Sequence, residues 1–269
     1  MALLRTRSIL IVGGVGAVVT LGLLILQMNR ACSEQDHPPA CTRVLFIGNS
    51  YTTVNNLPSA FANLAHSGGH RVETGTAAVD GWTLADHAGS PATLAKLASA
   101  KWDIVVLQEQ SQLPSVEEFR QSQMYPAARQ LVSAIRNHGA HPLFYLTWGR
   151  RDGWPENGMP DYASMQASID QGYLAIAADQ RAAIAPVGDA WATLVARTTR
   201  VALWQEDGSH PTEAGTYLAA CVFYATIFRE SPKGLGYHSS LSADAAAMIQ
   251  SVATETVLGD PAKWPGSTE

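Results

Sequence analysis

Short apolar runs alternate with segments of helical periodicity along most of this chain. The strand candidates are the short apolar runs Val44–Ile47, Arg71–Ala77, Ile104–Leu107, Pro142–Leu146 and Ala183–Val187, of which Arg71–Ala77 is the weakest. The helix candidates are Leu57–Ala65, Thr93–Ala98, Ala127–Asn137, Tyr162–Ala178, Thr212–Arg229 and Ala243–Leu258. Continuous apolar strands that alternate with helices predict an α/β fold whose parallel sheet is covered by helices on both faces.

The first thirty residues carry a different pattern. Arg5 and Arg7 precede Ser8–Met28, a run that is uncharged and mostly apolar. Such a run is long enough to cross a bilayer of about 30 Å as a helix, and the basic residues before it predict a cytoplasmic amino terminus. Asn29-Arg30-Ala31 is a poor cleavage site, since small residues are wanted there. We therefore expect residues 1–30 to be a signal-anchor, with a cleaved signal peptide as the alternative.

Residues 31–41 are polar and contain two prolines, which predicts a linker, and residues 42–269 are long enough for one domain with a sizeable core. Cys32 and Cys41 flank the linker and can pair in an oxidising compartment, whereas Cys221 lies in an apolar helical run as a small hydrophobic side chain. Either interpretation of the amino terminus makes this domain extracytoplasmic. The membrane is then a partner through the N-terminal helix, if that helix is not cleaved.

Composition limits the classes of partner and cofactor. The net charge is −5 and no basic cluster occurs, so nucleic acid is not an expected partner. The cysteines and histidines do not have the spacing of a structural zinc site. We expect neither a metal nor a cofactor.

Two short blocks carry candidate chemistry. Gly48-Asn49-Ser50 follows the first strand candidate, and Asp207-Gly208-Ser209-His210 precedes a helical run near the carboxyl terminus. A serine nucleophile needs a base to take its proton, and that base needs a carboxylate to hold its tautomer. Ser50, Asp207 and His210 are therefore a candidate catalytic triad. The alternatives are an ordinary turn for the first block and the start of a helix for the second.

In these two blocks the chain resembles the SGNH/GDSL hydrolase superfamily, whose nucleophile follows the first strand and whose Asp-x-x-His block lies near the carboxyl terminus. Asn49 stands where the family usually has aspartate. The resemblance implies a three-layer α/β/α sandwich with a five-stranded, flavodoxin-like parallel sheet. It also implies a serine hydrolase that acts on ester bonds without a cofactor.

The resemblance further implies an oxyanion hole formed by the N–H of Ser50, the N–H of Gly81 and an amide after the third strand. The family usually shows Gly-x-Asn-Asp there, but this chain has Gln108-Glu109-Gln110. Gln108 matches the Gln-Gly-Glu of some carbohydrate acetylesterases and is the favoured donor, with Gln110 as the alternative. For Glu109 a salt bridge or a surface position is favoured over a role as a second acid.

Four further side chains are predicted to contact a polar substrate: Tyr51, Trp82, Trp148 and Arg150. Trp148 and Arg150 lie on a loop after the fourth strand, where tryptophan suits stacking on sugar faces. The alternative for this loop is a surface network of arginine and aspartate. Asp189, after the fifth strand, is expected to be a helix N-cap.

Together these features predict an extracytoplasmic serine esterase for a small acyl ester, such as an acetyl group on a carbohydrate. An O-acyltransferase that uses the same triad is one alternative. A non-catalytic glycan-binding module on the same fold is the other.

Overall fold

The computed structural model describes residues 32–33 and 35–264. Its centre is a sheet of five parallel strands: β1 (Thr42–Gly48), β2 (Val72–Ala78), β3 (Ile104–Leu107), β4 (His141–Leu146) and β5 (Ala183–Pro186). The strand order is β2-β1-β3-β4-β5. Because all five strands are parallel, their carboxyl ends lie at the same edge of the sheet. Ligands bind at that edge in folds of this kind. The predicted flavodoxin-like parallel sheet is confirmed.

Helices connect the strands. They are α1 (Ser50–Thr53), α2 (Leu57–Ser67), α3 (Leu84–Gly89), α4 (Pro91–Ala98), α5 (Glu117–Phe119), α6 (Tyr125–Asn137), α7 (Tyr162–Gln180), α8 (Val187–Arg197), α9 (Glu213–Phe228) and α10 (Ala243–Leu258). Short 3₁₀ segments lie at Val54–Asn56, Leu113–Ser115, Pro155–Asn157 and Pro261–Lys263, and a π-helical segment lies at Arg120–Met124.

β1, β3, β4 and β5 are largely buried on both faces, whereas β2, at the end of the sheet, is partly exposed. Alternate side chains of the buried strands point to opposite helix layers. Val44 and Phe46 of β1 belong to a core cluster formed with α2, α8, α9 and α10. Leu45 and Ile47 belong to a second cluster formed with α3, α4, α6 and α7. Two helix layers therefore enclose the sheet, and the predicted three-layer α/β/α sandwich is confirmed.

The fifth strand and the helix after it differ from the prediction. β5 ends at Pro186, and α8 begins at the next residue with Pro186 as its N-cap. The expected N-cap role of Asp189 is therefore wrong, because Asp189 lies inside the first turn of α8. Its Oδ1 accepts a hydrogen bond of 2.9 Å from Lys263 Nζ.

A disulfide between Cys32 and Cys41 links the two ends of the linker, directly before β1. Arg71 also holds the linker through an ion pair of 3.2 Å with Asp36. Among the helices that the structure describes, none is both long and apolar enough to cross a membrane. The predicted signal-anchor, residues 1–30, lies outside the described residues and stays a prediction, as do the domain boundaries.

Candidate active site

Ser50, His210 and Asp207 meet at the carboxyl edge of the sheet. The Ser50 hydroxyl donates to His210 Nε2 over 2.9 Å. His210 Nδ1 donates to Asp207 Oδ2 over 2.5 Å. This relay holds the histidine in the tautomer that leaves Nε2 free to accept the serine proton. The structure thus brings the three predicted triad residues into contact, although they are far apart in sequence.

Asp207 is positioned by its own turn. Its Oδ1 accepts from the backbone N–H groups of Ser209, at 2.9 Å, and His210, at 3.0 Å. Partial burial alone would raise the pKa of Asp207, but hydrogen bonds from the His210 side chain and these two N–H groups outweigh it and lower the pKa to about 2. The carboxylate is therefore ionised at neutral pH, as an acceptor for the histidine ring must be.

A cleft of about 310 Å³ opens beside Ser50 and His210. Most of its lining residues have polar or charged side chains: Asn49, Ser50, Tyr51, Asp80, Gly81, Gln110, Ser111, Arg150, Ser209 and His210. The turns after β1, β2, β3 and β4 all contribute to this lining. The cleft therefore lies where a parallel α/β sheet is expected to bind its ligand.

The nucleophile turn is held by a buried amide network. Gln108 Oε1 accepts from the Asn49 N–H and from the Thr52 hydroxyl, both at 2.9 Å. Gln108 Nε2 donates to Asn49 Oδ1 at 2.8 Å. A Cβ on Gly48 would lie 2.4 Å from Gln108 Oε1, so only glycine allows this close approach. These contacts fix the start of α1 and with it the Ser50 hydroxyl.

Asn49 also links the nucleophile turn to the turn that carries Gly81. Its Nδ2 donates to the Trp82 carbonyl at 2.9 Å, and its Oδ1 accepts from the Tyr51 N–H at 3.1 Å. An aspartate at this position could not make the first of these bonds, since an ionised carboxylate has no donor. The departure from the usual family residue is therefore used by the structure.

A buried histidine supports the turn from below. His87 Nε2 donates to the Gly48 carbonyl at 2.7 Å, and His87 Nδ1 accepts from the Thr93 hydroxyl at 2.9 Å. Burial lowers the pKa of His87, which keeps the ring neutral at physiological pH. His87 therefore holds the nucleophile turn and takes no part in proton transfer.

Two residues that line the cleft, Ser50 and Gly81, are the predicted backbone donors of the oxyanion hole. The Ser50 N–H begins α1, and the Gly81 N–H lies in a turn where Gly81 has φ +77°. Neither group has an acceptor among residues 32–33 and 35–264. Both are therefore able to donate to an anionic oxygen in the cleft, as predicted oxyanion donors must.

Gln108 is not placed to be the third donor. Its side chain is fully buried, and its Nε2 donates both to Asn49 Oδ1 and, at 2.7 Å, to the Glu109 carbonyl. Both amide protons are therefore used inside the protein. The preference for Gln108 is wrong, because this amide builds the nucleophile turn and does not line the cleft.

Gln110, the alternative donor, lines the cleft. Its Oε1 accepts from the N–H groups of Gln112, at 2.7 Å, and Leu113, at 3.3 Å. These bonds orient the amide with its oxygen towards the loop. In the described part of the chain no acceptor occupies Nε2, so Gln110 is the side-chain amide that remains available for an oxyanion.

Glu109 is neither on the surface nor in an ion pair with any described residue, so that expectation is wrong. Its side chain is fully buried, and Oε1 accepts from the N–H groups of Leu84, at 3.0 Å, and Gln110, at 2.7 Å. Burial raises the pKa of Glu109 to about 7, although these two N–H groups act in the opposite direction. Glu109 thus ties the segment after Gly81 to the segment that carries Gln110.

Trp148 lies under the site and cannot stack on a substrate, contrary to the prediction. It is fully buried between the rings of Tyr51, with centroids 4.5 Å apart, and Trp191, with centroids 4.0 Å apart. Its Nε1 donates to the Ser209 carbonyl at 3.0 Å. The tryptophan therefore supports the turn that carries His210.

The other predicted substrate residues divide into two groups. Tyr51 and Arg150 line the cleft, and the Tyr51 hydroxyl lies 2.8 Å from Ser209 Oγ. Trp82 does not line it, since its ring packs against His87 with centroids 5.0 Å apart. The predicted contact of Trp82 with substrate is therefore not supported, and its carbonyl instead holds Asn49.

A larger cavity, of about 720 Å³, opens at the opposite edge of the sheet, where β1, β4 and β5 begin. Among the described residues that line it there is no serine or cysteine. Within the part of the chain that the structure describes, no group of three or more histidine, cysteine or carboxylate side chains could hold a metal ion. The serine–histidine pair therefore makes the smaller cleft the candidate site.

The chain matches no protein-family model and no curated protein, but it does match solved structures. A protein from Slackia heliotrinireducens that is assigned to the SGNH hydrolases is 31% identical, with a TM-score of 0.59, over 70% of this chain and 99% of that chain. The chain belongs to the SGNH hydrolase family.

Two more distant structures share the SGNH hydrolase fold. A DUF4886 family protein from Bacteroides uniformis is 19% identical, with a TM-score of 0.69, over 81% of this chain and 95% of that chain. A variant of an acetyl-xylooligosaccharide esterase from Geobacillus is 17% identical, with a TM-score of 0.53, over 75% of this chain and 97% of that chain. Lipases and esterases recur among these more distant matches. The predicted membership of the SGNH-type hydrolases is confirmed by the 31% identical protein.

The SGNH pattern contained a signal that favours Gln110. In Gly-x-Asn-Asp the asparagine comes two residues after the glycine, which is the first residue after the strand, and β3 ends at Leu107. Counting from that end aligns Gln108 with the glycine and Gln110 with the asparagine. Nothing comparable in the sequence pointed to His87 or Ser209, whose contacts are with distant residues.

Proposed function

We propose that this SGNH hydrolase is an extracytoplasmic serine esterase that removes a small acyl group, such as acetyl, from a carbohydrate ester. The observation that carries the proposal is the hydrogen-bonded relay from Ser50 to His210 to Asp207, with both links between 2.5 and 2.9 Å. Such a relay activates a hydroxyl as a nucleophile.

In the proposed first half-reaction the Ser50 oxygen attacks the ester carbonyl carbon while His210 Nε2 takes the serine proton. Asp207 stabilises the imidazolium that forms. The carbonyl oxygen becomes an oxyanion, held by the N–H groups of Ser50 and Gly81 and by the amide of Gln110. The carbon–oxygen bond to the alcohol then breaks, His210 returns the proton to that alcohol, and the acyl group stays on Ser50.

In the second half-reaction a water molecule loses a proton to His210 and attacks the acyl carbon. The bond to Ser50 breaks, the carboxylic acid leaves, and the serine regains its proton from His210. The side chains of His210 and Asp207 are 34% and 46% exposed, so water reaches the base. This exposure lets water act as the acyl acceptor.

The cleft supports a short acyl group and a polar alcohol. It measures about 310 Å³, and Tyr51 is the only large apolar ring in its lining within the described residues. A long acyl chain requires an extended apolar wall to bury its methylene groups. The polar lining instead offers hydrogen-bond donors and acceptors of the kind that sugar hydroxyls use.

The compartment is supported by two features. The disulfide between Cys32 and Cys41 is of a type that persists in oxidising environments. The run Ser8–Met28, preceded by basic residues, is the predicted membrane segment. Both features suit a domain on the outer side of the cytoplasmic membrane.

An acyl-length series tests the proposal. With the full-length protein we expect p-nitrophenyl acetate and acetylated xylan to be hydrolysed, and p-nitrophenyl octanoate to give a kcat/KM at least about 10-fold lower, because the cleft buries little of a long chain. Ser50→Ala should abolish turnover, and Ser122→Ala, an exposed serine outside the cleft, is the matched control. A preference for octanoate, or activity that survives in Ser50→Ala, would contradict the proposal.

A further inference from the structure

Arg150 is a cation in the cleft with no ionised partner. Its Nη2 donates to Gln112 Oε1 at 3.0 Å and approaches Ser111 Oγ at 3.5 Å, both of which are neutral. Its Nε is buried and has no hydrogen-bond partner among the described residues. No ion pair to Arg150 occurs within residues 32–33 and 35–264.

The next residue shows the contrast. Arg151 is half-exposed, forms an ion pair of 3.3 Å with Asp152 and donates to the Glu206 carbonyl at 3.4 Å. It does not line the cleft. Of these two adjacent arginines on one loop, the exposed Arg151 has an ionised partner, and Arg150, which lines the candidate site, has none among the described residues.

Arg150 is partly buried, and a guanidinium without an opposite charge is unfavourable where it is withdrawn from water. Arginine keeps its charge at any pH that a protein experiences. Removing a charge from water without an opposite charge costs free energy that neutral acceptors only partly return. A bound anion would remove this cost, and the planar fork of the guanidinium matches a carboxylate with two parallel hydrogen bonds.

Opposite charges lie at the two ends of the cleft along the sheet edge. Asp80, its exposed carboxylate, follows β2, whereas Arg150 follows β4. Strands β1 and β3 lie between β2 and β4, and neighbouring strands are about 4.8 Å apart, which separates the two ends by roughly 14 Å. Asp207, the other nearby carboxylate, is occupied by His210. Arg150 therefore dominates the charge at its own end of the cleft.

We infer that the preferred substrates are esters that carry a carboxylate, and that Arg150 binds this carboxylate while Ser50 attacks the ester carbonyl. The inference rests on the proposed esterase function and adds the charge of the substrate to it. The carboxylate can belong to the alcohol part, as in an acylated acidic sugar, or to the acyl part, as in a hemiester of a dicarboxylic acid. Arg150 is then the residue that sets specificity.

Two matched ester pairs test the inference with the full-length protein. Phenyl acetate and meta-acetoxybenzoate differ by a carboxylate in the alcohol part, and phenyl butyrate and phenyl hemisuccinate differ by one in the acyl part. A charge-assisted pair predicts that kcat/KM favours the anionic member of one pair by about 10-fold or more, mainly through a lower KM. The pair that shows the preference identifies the source of the carboxylate.

Substitutions at Arg150 and Arg151 test whether the side chain of Arg150 causes the preference for anionic esters. Arg150→Gln should reduce the anionic-to-neutral ratio of kcat/KM to near one, Arg150→Lys should keep part of it, and Arg151→Gln should leave it unchanged. Melting temperatures check that each variant is folded. A ratio that is the same in wild type and Arg150→Gln, or near one for both wild-type pairs, would overturn the inference while leaving the esterase proposal intact. If no phenyl ester is hydrolysed, both fail.

Discussion

The two halves of the candidate site are built in opposite ways. The nucleophile turn, Gly48–Thr52, is held by side chains from distant segments, above all the fully buried Gln108. In the acid–base turn, Asp207–His210, the side chains of Asp207 and His210 are half-exposed, and the Asp207 carboxylate is held by N–H groups of its own turn. Buried Ser209 joins this turn to Tyr51 and Trp148. The nucleophile is therefore positioned by buried tertiary contacts, and the carboxylate that orients the base is positioned by a local turn.

Because of this difference, substitutions in the two turns should have different effects on stability and on activity. A polar network with no access to water is costly to leave half-satisfied, so changes near Gln108 should destabilise the fold as well as the site. An exposed side chain loses little when one of its hydrogen bonds is removed, because water replaces the partner. Substitutions of Asp207 or His210 should therefore remove activity and leave the fold intact.

The largest expected effect concerns Asp207. Asp207→Asn should lower kcat by about 10⁴-fold, because asparagine cannot stabilise the imidazolium or enforce the tautomer of His210. The melting temperature should change little. Initial rates with p-nitrophenyl acetate and a thermal melt measure both quantities, and a stable variant with nearly full activity would remove Asp207 from the relay.

Ionisation of Glu109 should make the free energy of unfolding depend on pH. Its pKa is raised from an ordinary 4.5 to about 7 by burial, so between these pH values the folded state holds a proton that the unfolded state has lost. The free energy of unfolding should therefore fall as pH rises through this range, by about 3 kcal/mol in all.

Urea titrations across this pH range measure the effect. Glu109→Gln keeps an oxygen acceptor for Leu84 and Gln110 but cannot ionise, so the fall should be absent in this variant. Glu118→Gln, in an exposed carboxylate, is the control and should retain it. Equal pH dependence in wild type and Glu109→Gln would show that folding does not raise the pKa of Glu109.

The two glutamines after β3 sharpen the comparison further. Gln110→Ala should lower kcat by about 100-fold, as expected for one oxyanion donor, with little change in melting temperature. Gln108→Ala should lower both activity and the free energy of unfolding, by about 2 kcal/mol or more, because Asn49 and Thr52 lose buried partners. Rates and urea midpoints for both variants distinguish the two roles. A stable Gln108→Ala with a purely catalytic defect would reverse our assignment.

The strands of the sheet could be predicted because a short continuous apolar run in the sequence indicates a buried strand. β3 agrees with its prediction in both bounds, since Ile104–Leu107 is a continuous run of branched residues. The roles of Gln108 and Gln110 were harder to separate, because the partner that distinguishes them, Asn49, lies 59 residues from Gln108. For Trp148 the sequence identified a ring near the site, but only the stack with Tyr51 and Trp191 shows that it is buried.

The most direct test of the account is the site of covalent labelling. A fluorophosphonate reacts with an activated serine, and its position can be mapped by mass spectrometry of peptides from the full-length protein. We predict a single label on Ser50, strongly reduced in His210→Ala, which removes the base at 2.9 Å. A label on another serine, or labelling of Ser50 that does not depend on His210, would contradict the proposed nucleophile and its activation.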